Sequence, residues 1–285
     1  MVSASSIIMM IVIGVGCLIM PIAAILIIRT KSKNITAAFF AGVLSFFIMQ
    51  GVLRINILKV LSMNEGYLNF AKNNFYIYVL LIAFSAALFE TVGRYLTMKL
   101  LMKDKVSYYG GIAHGIGHGG IEMILLVSLT YVSNIVIATQ INSGVWQQMI
   151  ETMQASGYTN EATINSLLAA QEALVNTPPK EFLVALVERF FTLFFHIGLS
   201  VMVAEGIVKN KALLYSGLVI VIHTLADFVS PVLINAGVNI YIVEGVIGML
   251  AVAMFVYTLG SKKRFEKLSK IYPVEQEQEM LESDY

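Results

Sequence analysis

At 285 residues, with 58% hydrophobic and 13% charged side chains and a mean hydropathy of +0.78, the chain is too apolar for a soluble globule and is sized for one helical bundle. Its formal net charge of +1 points to no partner, and no nucleic-acid signature is present. The single cysteine, Cys17, excludes a disulfide framework and a CxxC metal motif.

Seven apolar segments are expected to span the membrane, near 4–28, 36–57, 75–98, 107–138, 181–208, 212–230 and 239–260. Each approaches or exceeds the roughly 20 residues that cross a hydrocarbon core of about 30 Å. The first has no basic residue before its apolar run and reads as a span rather than a cleaved signal peptide. The expected fold is all-α and polytopic, with an integral membrane domain over 1–270 whose motif-bearing core is 85–230. An acidic, disordered cytoplasmic tail is expected over 271–285.

Lysine and arginine set the expected orientation. Arg29, Lys31 and Lys33 follow the first span, and Lys99, Lys103 and Lys105 the third. Lys209 and Lys211 follow the fifth, and Lys262, Lys263, Arg264, Lys267 and Lys270 the seventh. Neither residue type occurs between Lys105 and Lys180. The positive-inside rule then puts the N-terminus outside and the C-terminus in the cytoplasm of a bacterial cell. The external segment 140–180 carries Ile164, Leu167, Leu168, Gln171 and Leu174 at helical spacing, with Asn160 as a cap and Pro178-Pro179 as a stop. It reads either as an amphipathic surface helix or as a linker hairpin.

The polar residues inside the spans are the most informative. All four histidines, His114, His118, His196 and His223, lie within apolar segments, as do Glu90, Arg94, Glu122 and Asp227. A charge at the bilayer centre costs about 2.5–3.5 kcal/mol even on a lenient scale, so these groups must pair, face the interior or do chemistry. Counted from the basic flanks, Glu90, His114, His118, His196 and His223 all fall about 9–13 residues deep. At about 1.5 Å per residue they share one layer, roughly 13–20 Å from the cytoplasmic side. Glu90 and Arg94 share a helix face, as do His223 and Asp227, and His114, His118 and Glu122 form one stripe. Gly111, Gly115 and Gly119 run beside that stripe and should admit a close neighbouring helix.

Each group also has a plainer reading. Glu90–Arg94 could be a structural ion pair, a lone buried histidine an interhelical hydrogen bond, and HisxxxHis a chance spacing. Glu188 and Arg189 read as structural or cavity-rim groups, and Glu205 and Glu244 are unassigned. The concentration in one layer favours a buried site. There a carboxylate and an imidazole activate a water, and a second histidine holds an oxyanion. Such a site hydrolyses peptides without a serine or cysteine nucleophile. GxSxG and HExxH motifs are absent, and glycines flank the histidines in His114-Gly-Ile-Gly-His118.

Glu90-Thr-Val-Gly-Arg94 resembles the ExxxR motif of the CAAX-prenyl-protease-like superfamily of intramembrane glutamic proteases, and His223-Thr-Leu-Ala-Asp227 resembles its last motif. Gly-His118-Gly-Gly-Ile-Glu122, with Arg189 and His196, resembles the YhfC branch most closely. The resemblance covers about 85–230. It implies a metal-free mechanism in which Glu90 and a histidine of span four activate water, His223 with Asp227 binds the oxyanion, and Arg94 orients Glu90. The chain departs from the superfamily pattern in three places. Phe89 stands where a second acid usually precedes the glutamate, the phenylalanine four residues before the second-motif histidine is missing, and Asp227 replaces an asparagine.

The function expected is an intramembrane peptidase acting on a membrane-embedded or membrane-proximal polypeptide. Its site comprises Glu90, Arg94, His114, His118, Glu122, His196, His223 and Asp227, with no cofactor or metal and with His118 preferred over His114. One rival is a zinc enzyme using His114, His118 and Glu122 or His223. The other is a non-catalytic transporter or scaffold. No nucleic-acid partner is expected.

Overall fold

A hydrocarbon interior offers the backbone no hydrogen-bonding solvent, so a chain this apolar must satisfy its peptide groups within helices. The computed structural model describes residues 1–103, 106–157 and 160–271, and no strand occurs among them. The helices are α1 (Ala4–Arg29), α2 (Thr36–Leu61), α3 (Glu65–Asn73), α4 (Phe75–Met102), α5 (Tyr108–Ser143), α6 (Val145–Ser156), α7 (Glu161–Asn176), α8 (Pro179–Val208), α9 (Ala212–Asn235) and α10 (Ile240–Ile271). Seven of them, α1, α2, α4, α5, α8, α9 and α10, are long and apolar enough to cross a membrane. The protein is an all-α integral membrane protein, and each expected span corresponds to one of these helices. Several ends run further than hydropathy marks them. The seventh helix continues through the basic residues Lys262 to Lys267. The acidic tail falls outside the described residues beyond Ile271, as do Asp104, Lys105, Tyr158 and Thr159.

Three helices contain π-helical stretches, Phe47–Arg54 in α2, Met98–Met102 in α4 and Met123–Ser128 in α5. Such wider turns are rare and collect at functional sites.

The chain divides into two compact units, Met1–Ile22 with Glu122–Phe190, and Ala23–Ile121 with Phe191–Tyr285. In the first, segment 140–180 is almost wholly helical. Asn160 caps α7 as expected, its Oδ1 accepting from the Thr163 backbone N–H at 2.8 Å. The additional helix α6 buries Trp146 and Ile150 against Ile164 of α7, with Ile137, Ile141, Met149, Met153 and Leu167 around them. Its apolar positions are diluted by Gln147, Gln148, Glu151 and Gln154, which is why hydropathy does not reveal it.

In the second unit, α4 packs along α9 and against α2. The glycines of α5 fix its neighbours. A Cβ on Gly117 would lie 2.0 Å from the Phe39 carbonyl oxygen of α2, and one on Gly115 would lie 2.4 Å from Ile197 Cα of α8. Backbone therefore meets backbone on two sides of α5, and the side facing α8 is the close approach anticipated from the glycine stripe. Near the other end of α8, buried Glu205 accepts from Arg264 (2.7 and 3.0 Å), Tyr257 (2.8 Å) and Ser261 (3.0 Å) and also from Lys209, tying α8 to α10. Glu205 is thus a structural clasp.

Candidate functional site

Close packing of α5 against α2 and α8, with α4 lying along α9, brings five helices of the second unit to one polar layer. Glu90 and Arg94 project from α4, His114 and His118 from α5, His196 from α8 and His223 from α9, and all six are buried. Ser45 and Gln50 join them from α2.

Glu90 is the hub. Its Oε2 lies 3.0 Å from His118 Nε2, 3.3 Å from Arg94 Nη2 and 3.8 Å from His223 Nε2. Its Oε1 accepts from Gln50 Nε2 at 3.2 Å. An ionised carboxylate only accepts, so His118 carries its proton on Nε2 and its Nδ1 accepts from Ser45 Oγ at 3.2 Å. Arginine only donates, so Arg94 Nη2, 2.6 Å from His196 Nδ1, leaves the neutral His196 ring with its proton on Nε2. The rings of His118 and His196, and of His196 and His223, have centroids 5.3 Å apart.

Of the remaining residues of the expected set, Asp227 and His114 lie beside these histidines. His223 Nε2 is 3.4 Å from Asp227 Oδ2, and the Asp227 side chain is 37% exposed. No hydrogen-bond partner for His223 Nδ1 occurs among the described residues. His114 spends one ring nitrogen on Thr97 Oγ1 (3.0 Å) and the other on Ser200 Oγ (3.3 Å). It therefore flanks His118 and forms neither of the bonds that converge on Glu90. Within the first unit, Glu122 accepts from Arg189 at 3.2 Å, and Arg189 also pairs with Glu188.

Gln50 and Arg54 are not among the residues expected from sequence. Both are buried, and Arg54 donates to Gln50 Oε1 at 3.1 Å, to Ser85 Oγ at 2.9 Å and to the Ile82 carbonyl at 2.8 Å. The same i, i+4 polar spacing that marks Glu90–Arg94 was present, but Arg54 stands close to the expected end of its span and resembles a flanking charge.

Glu90, His118 and His196 each offer an oxygen or ring nitrogen within 4.8 Å of the others, in a buried position. One carboxylate and two imidazoles form a donor set that suits a catalytic divalent transition metal such as zinc. The residues fit such an ion. Binding would displace the His118 Nε2 proton, because the ligand must present a lone pair.

A family model described as YhfC intramembrane metalloprotease matches residues 16–247. An uncharacterized membrane protein, YhfC of Bacillus subtilis (strain 168), is 32% identical over 270 residues, 93% of this chain and 99% of its own length. No solved structure matches. The matched region takes in every converging residue from Ser45 to Asp227, and with it the chain belongs to the YhfC intramembrane metalloprotease family.

Proposed function

We propose that the chain is an intramembrane endopeptidase that hydrolyses a peptide bond of a membrane-embedded polypeptide at the Glu90–His118–His196–His223 centre. The observation that carries this reading is the meeting of three histidines from three helices around one glutamate in a water-poor layer. A structural role asks for paired charges. It does not ask for two imidazoles on a carboxylate that Arg94 already balances and a third on Arg94 itself.

Glu90, His118 and His196 would hold a divalent cation. Such an ion would polarise the scissile carbonyl as a Lewis acid. His223 then stands beside the reacting bond. Asp227, 3.4 Å from its Nε2, orients the ring, so His223 delivers a proton to the leaving nitrogen or an N–H to the oxyanion. Asp227 acts only through His223, which removes the difficulty of a carboxylate facing an oxyanion. Arg94 pairs with Glu90 and fixes the His196 ring.

A second reading has a specific observation behind it. The 3.0 Å hydrogen bond between Glu90 and His118 is complete without an ion, and in the metal-free mechanism of the wider superfamily Glu90 takes the proton of the attacking water. In either reading the N-terminus lies outside, the C-terminus lies in the cytoplasm of a bacterial cell, and His114 is a supporting residue.

The test combines metal analysis of detergent-purified protein with cleavage of single-span peptides in liposomes, for wild type, Glu90→Gln and His118→Ala. Loss of cleavage in both variants is expected. Stoichiometric zinc that disappears in His118→Ala, with chelator-sensitive cleavage, supports the metal reading. Chelator-resistant cleavage that is lost in Glu90→Gln supports the glutamic one. Undiminished cleavage by both variants rejects the site.

A further inference from the structure

The centre is supported by a second layer of polar contacts that none of its reacting groups explains. Oε2 of Glu90 faces His118, Arg94 and His223, while Oε1 accepts from Gln50. An amide side chain placed there is ambiguous. Turned one way, its NH2 holds the carboxylate. Turned the other, its carbonyl oxygen repels it. Arg54 removes the ambiguity, because a guanidinium only donates and its Nη1 reaches Gln50 Oε1 at 3.1 Å. The amide oxygen must therefore point to Arg54 and the NH2 to Glu90. Arg54 is itself held rigidly, by Nε on Ser85 Oγ and by Nη2 on the Ile82 carbonyl, both on the helix that carries Glu90. Gln50 and Arg54 both lie in the π-helical stretch Phe47–Arg54. A loop of contacts thus runs from α4 to Arg54, to Gln50 and back to Glu90.

We propose that Gln50 and Arg54 are positioning residues for the reaction. Arg54 locks the Gln50 amide, and the amide pins Oε1 of Glu90, so that Oε2 alone is presented to His118 and His223. The inference rests on Glu90 being the working carboxylate of the proposed peptidase. It adds that the choice of oxygen is made on α2, by two residues that act through Glu90 rather than through a histidine. Without the lock the carboxylate rotates about its terminal bond, both oxygens become equivalent, and the His118 Nε2–H loses its fixed acceptor.

The chain has only four histidines, all in this layer, so their ring nitrogens can be read separately by 15N-histidine NMR of the full-length protein in detergent. His114 is an internal control, because its partners are Thr97 and Ser200 rather than Glu90. In Gln50→Met, which keeps the side-chain length, the ring signals of His118 are expected to move away from the Nε2–H tautomer while those of His114 stay in place. Arg54→Lys keeps the charge but not the fork, and should move the same signals in the same direction by a smaller amount. Gln50→Glu, in which a carboxyl replaces the amide, should not restore the wild-type pattern. A purely structural role predicts either no change or equal changes at His114 and His118, and either outcome overturns the proposal. Should Gln50→Met fail to accumulate, Arg54→Lys decides alone. The readout needs no substrate, so a shift at His118 with no peptidase activity in the wild type would reject the functional reading and leave the positioning intact.

Discussion

Glu90 and His118 stand on different helices, 28 residues apart, yet Oε2 of one lies 3.0 Å from Nε2 of the other in a fully enclosed layer. Glycines hold α5, and with it His118, against α2 and α8 at backbone distance, and the contact couples the carboxylate to the ring.

Replacing Glu90 by Gln keeps shape and most hydrogen bonding but removes the proton acceptor and the anionic donor. A general-base loss of about 10²–10⁴ in rate is expected, about 3–5 kcal/mol. The fold should survive with a lowered melt, because the neutral amide is cheaper to bury than a carboxylate but leaves buried Arg94 without its counter-charge. Cleavage rate and a detergent melting curve on the same sample check both halves.

Arg94→Ala should behave differently. Arg94 is fully buried and bridges Glu90 and His196, so its removal leaves a buried carboxylate without its cation. A destabilisation of about 3–5 kcal/mol is expected, with lower yield and an earlier melt. A variant that melts with the wild type would show that the ion pair does not hold the layer together.

Gly117→Ala tests the packing that delivers the histidines. The new Cβ would meet the Phe39 carbonyl oxygen at 2.0 Å, and that atom is backbone. A cost of about 1–3 kcal/mol is expected. Gly217→Ala, where a Cβ meets nothing within 4 Å, is the neutral control. Equal melting temperatures for the two variants would contradict the close approach.

Lys209, just past the end of α8, carries a pH signature. Burial pulls its ammonium down, but hydrogen bonds to Glu205 and Tyr215 outweigh this and hold it above the ordinary lysine value. The stabilisation is fully present below the unfolded value of about 10.4 and is lost only as the pH rises through the raised folded value. The melting difference between wild type and Lys209→Met should therefore be constant near neutrality and shrink in alkali. A difference that widened with pH would have the wrong sign.

Orientation is checked with a reporter active only in the cytoplasm. Fused after Lys263 it should work, and inserted between α6 and α7 it should not. The reverse pattern would invert the molecule.

The spans were legible because hydropathy and length alone define them, and the polar layer was legible because histidines and acids inside such spans have few places to go. Asn160 announced its helix through capping chemistry. Three things were hidden. Helix α6 mixes Trp146 and Ile150 with glutamines, so its periodicity is weak. His118 is preferred over His114 in the sequence only through the glycine-rich motif around it, and the partners Thr97, Ser200 and Ser45 are what the spacing does not show. Gln50 is neutral and Arg54 lies near the end of its span. Their importance is a matter of which atom faces which, and spacing does not encode that.

Arg54 also has a consequence for how the chain enters the membrane. On its own helix it donates to the neutral Gln50, and its other two partners, Ile82 and Ser85, are synthesised about 30 residues later. During synthesis α2 therefore emerges carrying a cation whose burial costs at most about 2.5–3.5 kcal/mol, the bilayer-centre figure, until α4 arrives to accept it. The second span is not a self-sufficient membrane segment, and it should remain beside the insertion machinery and be released as a hairpin with α4. Nascent chains halted at Asn74 should stay crosslinkable to that machinery through α2, whereas chains extended past Met102 should not. Release of the shorter chain with equal ease would show that α2 inserts unaided.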